Sequence, residues 1–219
     1  MYHDQKQVRI LDDPSISTLP LWWLLLTAST GILGCLIAVL VGLMTLGIGL
    51  LGAGAIVGFL VGIVQSAILR HFFPQLSWQW WFFSTGVGAA AGWILVVIGL
   101  VGMQFYDLPS QLTPVDIPLA YLIVGTVLGL AQWLALQRRW NMLWWIPVCG
   151  LGSGLSALIV SLTIHPFLPT GGHLYNPNFA LFHFIFGSVY VLIFSIFLTL
   201  AVVPLFRQLH ASLEHPTGS

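Results

Sequence analysis

The sequence predicts an all-α fold, a six-helix transmembrane bundle built from two or three tandem helical hairpins. Three observations predict it. Of 219 residues, 58% are hydrophobic and only 5% charged, whereas about a quarter of positions carry charge in a soluble domain. Apolar stretches long enough to cross a hydrocarbon core of about 30 Å, which takes roughly 20 helical residues, recur along the chain. The six cations, Lys6, Arg9, Arg70, Arg138, Arg139 and Arg207, all fall outside those stretches. The acidic residues Asp4, Asp12, Asp13, Asp107, Asp116 and Glu214 do likewise. A formal net charge of zero argues against a nucleic-acid partner, because phosphate binding needs a basic surface.

Residues 1–19 are polar with mixed charge and read as a cytoplasmic tail. The apolar run after them lacks a small-residue cleavage site and reads as a retained first span. It extends from Pro20 to about Phe73, too long for one helix and right for two, with a turn expected at Thr45–Gly49. Further spans are expected at about 80–103, 117–137, 143–164 and 181–206, and 208–219 reads as a second cytoplasmic tail. Six spans put every cation on one side, which short loops make the cytoplasmic side, so both termini are expected there. Five or seven spans would scatter the charges. Nine of the tryptophans gather at the same boundary, where indole has both an apolar body and an N–H to place, and Trp93 alone lies well inside a span. The opposite loops carry Pro109, Pro114, Pro118, Pro166, Pro169 and Pro177 instead.

Adjacent tryptophans open the odd helices as Trp22-Trp23, Trp80-Trp81 and Trp144-Trp145, and arginine closes the even ones. Gly58, Gly62, Gln65 and Leu69 match Gly125, Gly129, Gln132 and Leu136 at a constant offset of 67. Gly86 and Gly88 stand to Trp81 as Gly150 and Gly152 stand to Trp145. In the third copy Ser195 and Val202 replace the glycine and glutamine ahead of Arg207. Repeats are therefore expected at about 20–73, 78–139 and 143–207, two well kept and the third degraded, related by an axis along the membrane normal. The Gly-xxx-Gly spacings at Gly54, Gly58 and Gly62, at Gly88 and Gly92, and at Gly125 and Gly129 let helix backbones approach closely. Tight intramolecular packing is the expected use; homodimerisation and a ligand cavity are the alternatives.

Candidate functional residues are few. Gln65 and Gln132 occupy equivalent places near the cytoplasmic ends of their helices, and either bond across helices or contact a polar substrate or lipid headgroup. Arg70, Arg138, Arg139 and Arg207 beside Trp80, Trp81, Trp144 and Trp145 make a cytoplasmic face suited to anionic lipid or a protein, or to plain interfacial anchoring. His183 is the one histidine placed within a span and the candidate axial ligand for haem or chlorophyll. His165, His173 and the outer aspartates lack metal-ligand spacing, so no metal is expected. Gly152-Ser153-Gly154 superficially resembles a rhomboid serine-protease motif, but Leu151 replaces its glycine, and Ser153 and His183 belong to different depths. Metallo- and CAAX-type peptidases need glutamate or paired histidine in a span, and none is present. No enzyme is expected. Cys35 and Cys149 lie in apolar helix interiors without a partner motif.

The segment Leu130–Arg138 (LAQWLALQR), with Trp144-Trp145 and Gly150, Gly152 and Gly154 after it, resembles repeats of uncharacterised multi-pass membrane proteins of cyanobacteria and related bacteria. The resemblance covers about half the chain, and the earlier copy around Gln65 departs from it in having Ser66 where tryptophan is usual. It implies a bacterial inner or thylakoid membrane and brings no activity, cofactor or catalytic residue. A non-enzymatic accessory or scaffold protein is therefore expected, contacting membrane lipid, a larger membrane complex or a second copy of itself. A small-molecule binder or facilitator for a neutral or lipidic solute, using the bundle interior, is the alternative.

Overall fold

The computed structural model describes residues 14–45, 52–72, 77–105, 116–136, 142–164 and 177–214, with side chains described from 18 in the first segment, to 99 in the third, to 163 in the fifth, and at 181 and 184–206 in the sixth. Six helices make up these segments: α1 (Pro14–Met44), α2 (Ala53–Phe72), α3 (Trp78–Phe105), α4 (Asp116–Ala135), α5 (Trp145–Ile164) and α6 (Pro177–Glu214). Each contains a stretch long and apolar enough to cross a membrane, and the chain is a multi-pass integral membrane protein. Proline opens α1 and α6, where its missing N–H removes no helical bond, and Asp116 opens α4, where its charge suits the helix dipole.

Two boundaries differ from expectation. α1 begins at Pro14, inside the segment read as a tail, and α6 runs on to Glu214, past Arg207. Both extensions are polar continuations of a helix already formed, and hydropathy marks where a span ends, not where the helix does. The expected turn at Thr45–Gly49 starts at Thr45, whose N–H bonds back to the Val41 carbonyl; residues 46–49 lie outside the described residues.

Successive helices pack side by side, and α6 packs back against α1, so the six close into a ring. In lipid the hydrophobic effect does not drive helices together; close contact and hydrogen bonds do. Glycine supplies the contact. A Cβ at Gly58 would lie on Ala89 Cβ and 3.1 Å from the Thr85 carbonyl, and one at Gly125 would lie on the Cys149 carbonyl and Ser153 Cβ. A Cβ at Gly34 would be 3.0 Å from the Val57 Cα, and at Gly92 it would be 2.9 Å from the Val124 Cα. Gly58, Gly62, Gly88, Gly92, Gly125 and Gly129 thus all face neighbouring helices of the same chain, which leaves their Gly-xxx-Gly faces spent inside the ring. Leucine and isoleucine cover the outside, among them Leu33, Leu40, Ile63, Ile98, Leu119, Leu162 and Leu200.

Hydroxyls within the spans bond back along their own helix, as Ser29 does to the Leu25 carbonyl, Thr126 to Leu122, Ser156 to Gly152 and Thr199 to Ser195. Such bonds satisfy a polar group that lipid cannot.

Candidate functional site

The polar centre of the bundle lies at its tryptophan-rich end. Within each tryptophan pair the two rings point about 100° apart, as adjacent helical positions must. Trp22 and Trp80 face outward, whereas Trp23, Trp81 and Trp145 are buried at the axis. Trp23 and Trp145 flank Trp81 with ring centroids 6.3 and 6.4 Å away, and Phe206 meets Trp23 edge-on at 5.5 Å.

Glutamine ties the indoles into the ring. Gln65 on α2 accepts from Trp81 Nε1 on α3 at 3.1 Å and donates to Thr27 Oγ1 on α1 at a long 3.5 Å. Gln132 on α4 accepts from Trp145 Nε1 on α5 at 2.9 Å and donates to Thr85 Oγ1 on α3 at 3.0 Å. The Cys149 thiol also reaches Gln132 Oε1, at 3.9 Å. Each glutamine therefore joins the helix before its own to the helix after it. Both are 1% exposed. A carboxamide offers a carbonyl and two N–H donors, and here the carbonyl and one N–H of each glutamine bond to neighbouring helices.

Thr27 and Thr85 were not expected at this centre. The signal was available: threonine stands four residues after Trp23 and Trp81, on the same helix face, and Cys149 holds that place after Trp145. Val202 of α6 is fully buried, and the buried Trp23 Nε1 has no hydrogen-bond partner among the described residues.

A second cluster lies nearer the other end. Ser153 Oγ is 2.6 Å from the Tyr121 carbonyl oxygen, to which it donates, and 2.7 Å from Tyr190 Oη. The Tyr121 ring is 4.5 Å from Tyr190, 6.1 Å from Phe186 and 6.4 Å from Trp93. These contacts draw α3, α4, α5 and α6 onto one aromatic centre. Ser153 is thereby fixed to tyrosine and a carbonyl. No base that would activate a serine is among these partners.

The expected cytoplasmic face needs a correction. Trp81 and Trp145 do not belong to it, being 3% and 0% exposed, because their N–H groups turn inward to the glutamines. Trp80 is 66% exposed, and Trp144 is half-buried with its ring edge-on to Trp145 at 6.0 Å. Arg70 is exposed at the end of α2, its guanidinium 5.5 Å from the centroid of the Trp78 ring, within cation–π range. Arg138 and Arg139 lie outside the described residues. His183 and Arg207 lie in α6, with side chains outside them. Among the described residues no group of three histidine, cysteine, aspartate or glutamate side chains is placed to hold a metal ion. No known family model, curated protein or solved structure matches this chain.

Proposed function

We propose that this chain is a non-enzymatic accessory or scaffold protein of a bacterial inner or thylakoid membrane, packing against lipid or a larger membrane complex. The observation that carries the reading is the state of Gln65 and Gln132. Glutamines that recognise a solute must present a free donor or acceptor to a cavity; these are sealed and bonded to Thr27, Trp81, Thr85 and Trp145. Their role is to hold helices together. The apolar outer surface then meets lipid and protein partners.

The reading includes an architecture of three tandem hairpins. Support comes from recurrence: Gly58 meets Thr85 and Ala89 as Gly125 meets Cys149 and Ser153, and Gly34 meets Val57 as Gly92 meets Val124. Those pairs keep the offsets of 67 on the even helices, 64 from α3 to α5 and 58 from α1 to α3 that the glutamine and tryptophan positions set. Both termini are assigned to the cytoplasm because all the cations are then on that side.

Native mass spectrometry with an absorption spectrum, on protein extracted gently from its membrane, tests the role. A colourless protein carrying lipid or a larger assembly is expected. Co-purified pigment, haem or a stoichiometric small molecule would overturn it in favour of the binder reading. For the topology, a cysteine placed in the 165–180 loop is expected to react with an impermeant thiol reagent from outside the cell, and labelling from the cytoplasm alone would sink the assignment.

A further inference from the structure

Arg70 ends α2 with an exposed side chain, and its cation lies over the Trp78 ring, 5.5 Å from the centroid. That contact draws on the face of the indole and uses none of the guanidinium N–H donors. Among the described residues Arg70 has no hydrogen-bond or ion-pair partner, and the one acidic side chain described, Asp116, opens α4 at the other end of the bundle. The helix register sets what stands beside it. Gln65 of α2 meets Thr27 of the antiparallel α1, so Trp22, as far before Thr27 as Arg70 is after Gln65, stands level with Arg70. Gln65 also meets Trp81, which brings Trp80 to within about a turn of that level. α2 packs between α1 and α3, so an exposed cation is flanked by two exposed indoles, Trp22 at 52% and Trp80 at 66%. Deeper in the span the same face exposes Ile63, Phe83 and Val87. By chain order all six cations belong to this end of the bundle with Asp4, Asp12, Asp13 and Glu214, whereas the other end has Asp107 and Asp116 and no cation.

We infer that Arg70 docks the phosphate of an anionic phospholipid, with the headgroup between Trp22 and Trp80 and the acyl chains along Ile63, Phe83 and Val87. This deepens the part of the proposed role in which the chain packs against lipid, and rests on it. Charge selects the class of lipid. A zwitterionic headgroup brings its own ammonium to its phosphate, so an arginine adds little; an anionic headgroup leaves the phosphate for the arginine, whose planar fork matches two phosphate oxygens. The excess of cations at this end favours the same sign of charge. Depth selects lipid over protein. Exposed indoles settle at headgroup level, so Arg70, level with them, lies where lipid phosphates already are. A protein carboxylate would have to be carried to that depth and displace lipid from both indoles. The apolar face below Arg70 then meets the chains of the molecule whose phosphate it holds, which ties charge and packing to one ligand.

The test is native mass spectrometry of the full chain released from nanodiscs made of equal parts phosphatidylglycerol and phosphatidylcholine, which differ in headgroup charge. The retained lipid is expected to be enriched in phosphatidylglycerol. Arg70→Gln is expected to lower the ratio of retained phosphatidylglycerol to phosphatidylcholine about fivefold, the factor set by about 1 kcal/mol for one basic residue at an anionic membrane surface. Arg70→Lys keeps the charge and gives up the fork, and is expected to hold at least half of the preference. An unchanged ratio in Arg70→Gln would overturn the inference and leave the accessory role standing. Equal loss in Arg70→Gln and Arg70→Lys would show that charge is not what holds the lipid, and would overturn it as well. On protein extracted gently from its own membrane, loss of a protein subunit from Arg70→Gln with the lipid kept would assign the face to a protein and refute the lipid site. A pigment or small molecule bound to the parent, with the lipid ratio still falling in Arg70→Gln, would instead overturn the accessory role and support the site.

Discussion

Replacing Gln132 by leucine removes the better formed of the two latches while keeping side-chain volume close. The substitution deletes the 2.9 Å bond from Trp145 Nε1 and the 3.0 Å bond to Thr85 Oγ1, together with the weak thiol contact of Cys149. Interhelical hydrogen bonds in membranes are worth roughly 0.6 to 2 kcal/mol each. An indole N–H left buried without an acceptor adds a desolvation penalty of about 1–3 kcal/mol, part of which is the same loss counted from the other side. Threonine is less affected, because its hydroxyl can turn to a carbonyl of its own helix. The expected cost of Gln132→Leu is therefore about 2–4 kcal/mol. Equilibrium unfolding in bicelles, monitored by tryptophan fluorescence, measures it. A double-mutant cycle with Trp145→Phe should give a coupling of about 1 kcal/mol or more, since the phenyl ring leaves no donor to orphan. Gln65→Leu should cost less than Gln132→Leu, because its threonine bond is long at 3.5 Å. A Gln132→Leu protein within about 0.5 kcal/mol of the parent, or additive single mutants, would refute the idea that carboxamides latch this ring.

Packing sets three further outcomes. Gly125→Ala is expected to cost about 2 kcal/mol or more, because its Cβ would press on the backbone of Cys149; Gly99→Ala, with nothing within 4 Å, is expected to be neutral or to stabilise by up to about 1 kcal/mol through helix propensity, and equal effects in a thermal-unfolding assay would contradict the contact. Trp81→Ala is expected to lose about 3–5 kcal/mol as a buried aromatic truncation, while the outward Trp80→Ala stays within about 1 kcal/mol; the reverse order in the same assay would show that the helix is turned the other way. Gly187→Cys should form a disulfide with the native Cys35 under mild oxidation, because a Cβ at 187 would be 3.6 Å from Cys35 Cβ, within the usual range for a bridge. Intact-mass loss of two hydrogens reports it, and a protein that keeps two alkylatable thiols at these positions would show that α1 and α6 do not meet there.

The number and order of the spans were legible because in lipid a helix must be apolar for its whole crossing, and that requirement is written residue by residue. Glycine at fixed spacing was legible for a related reason: close approach leaves room for no other side chain, so Gly58 and Gly125 advertise their contacts. The tryptophans were harder. Indole is both a headgroup anchor and a core donor, and composition cannot separate the two uses, so Trp81 and Trp145 read as surface beside Trp80 and Trp144. Thr85 and Cys149 lie under Trp81 and Trp145 on the inward face, whereas Ser84 and Val148 hold those places after Trp80 and Trp144. The glutamines could be predicted as interhelical bonds or as solute contacts with equal chemistry, and only the three-dimensional position of Thr27, Thr85 and the two indole N–H groups decides which.

Where α6 meets α1 and α5, the bundle is held by different side chains from the glutamines that bridge α1 to α3 and α3 to α5. Val202 and Ser195 of α6 are buried, Trp23 Nε1 of α1 has no hydrogen-bond partner among the described residues, and α5 and α6 are joined by Ser153 and Tyr190 at 2.7 Å. α6 is therefore tied to α5 through a hydroxyl pair and to α1 through close packing at Gly31 and Gly187, whereas the helices from α1 to α5 are tied through carboxamides. A hydroxyl pair satisfies its members as a carboxamide does, so the bundle closes on a bond of different chemistry at α6.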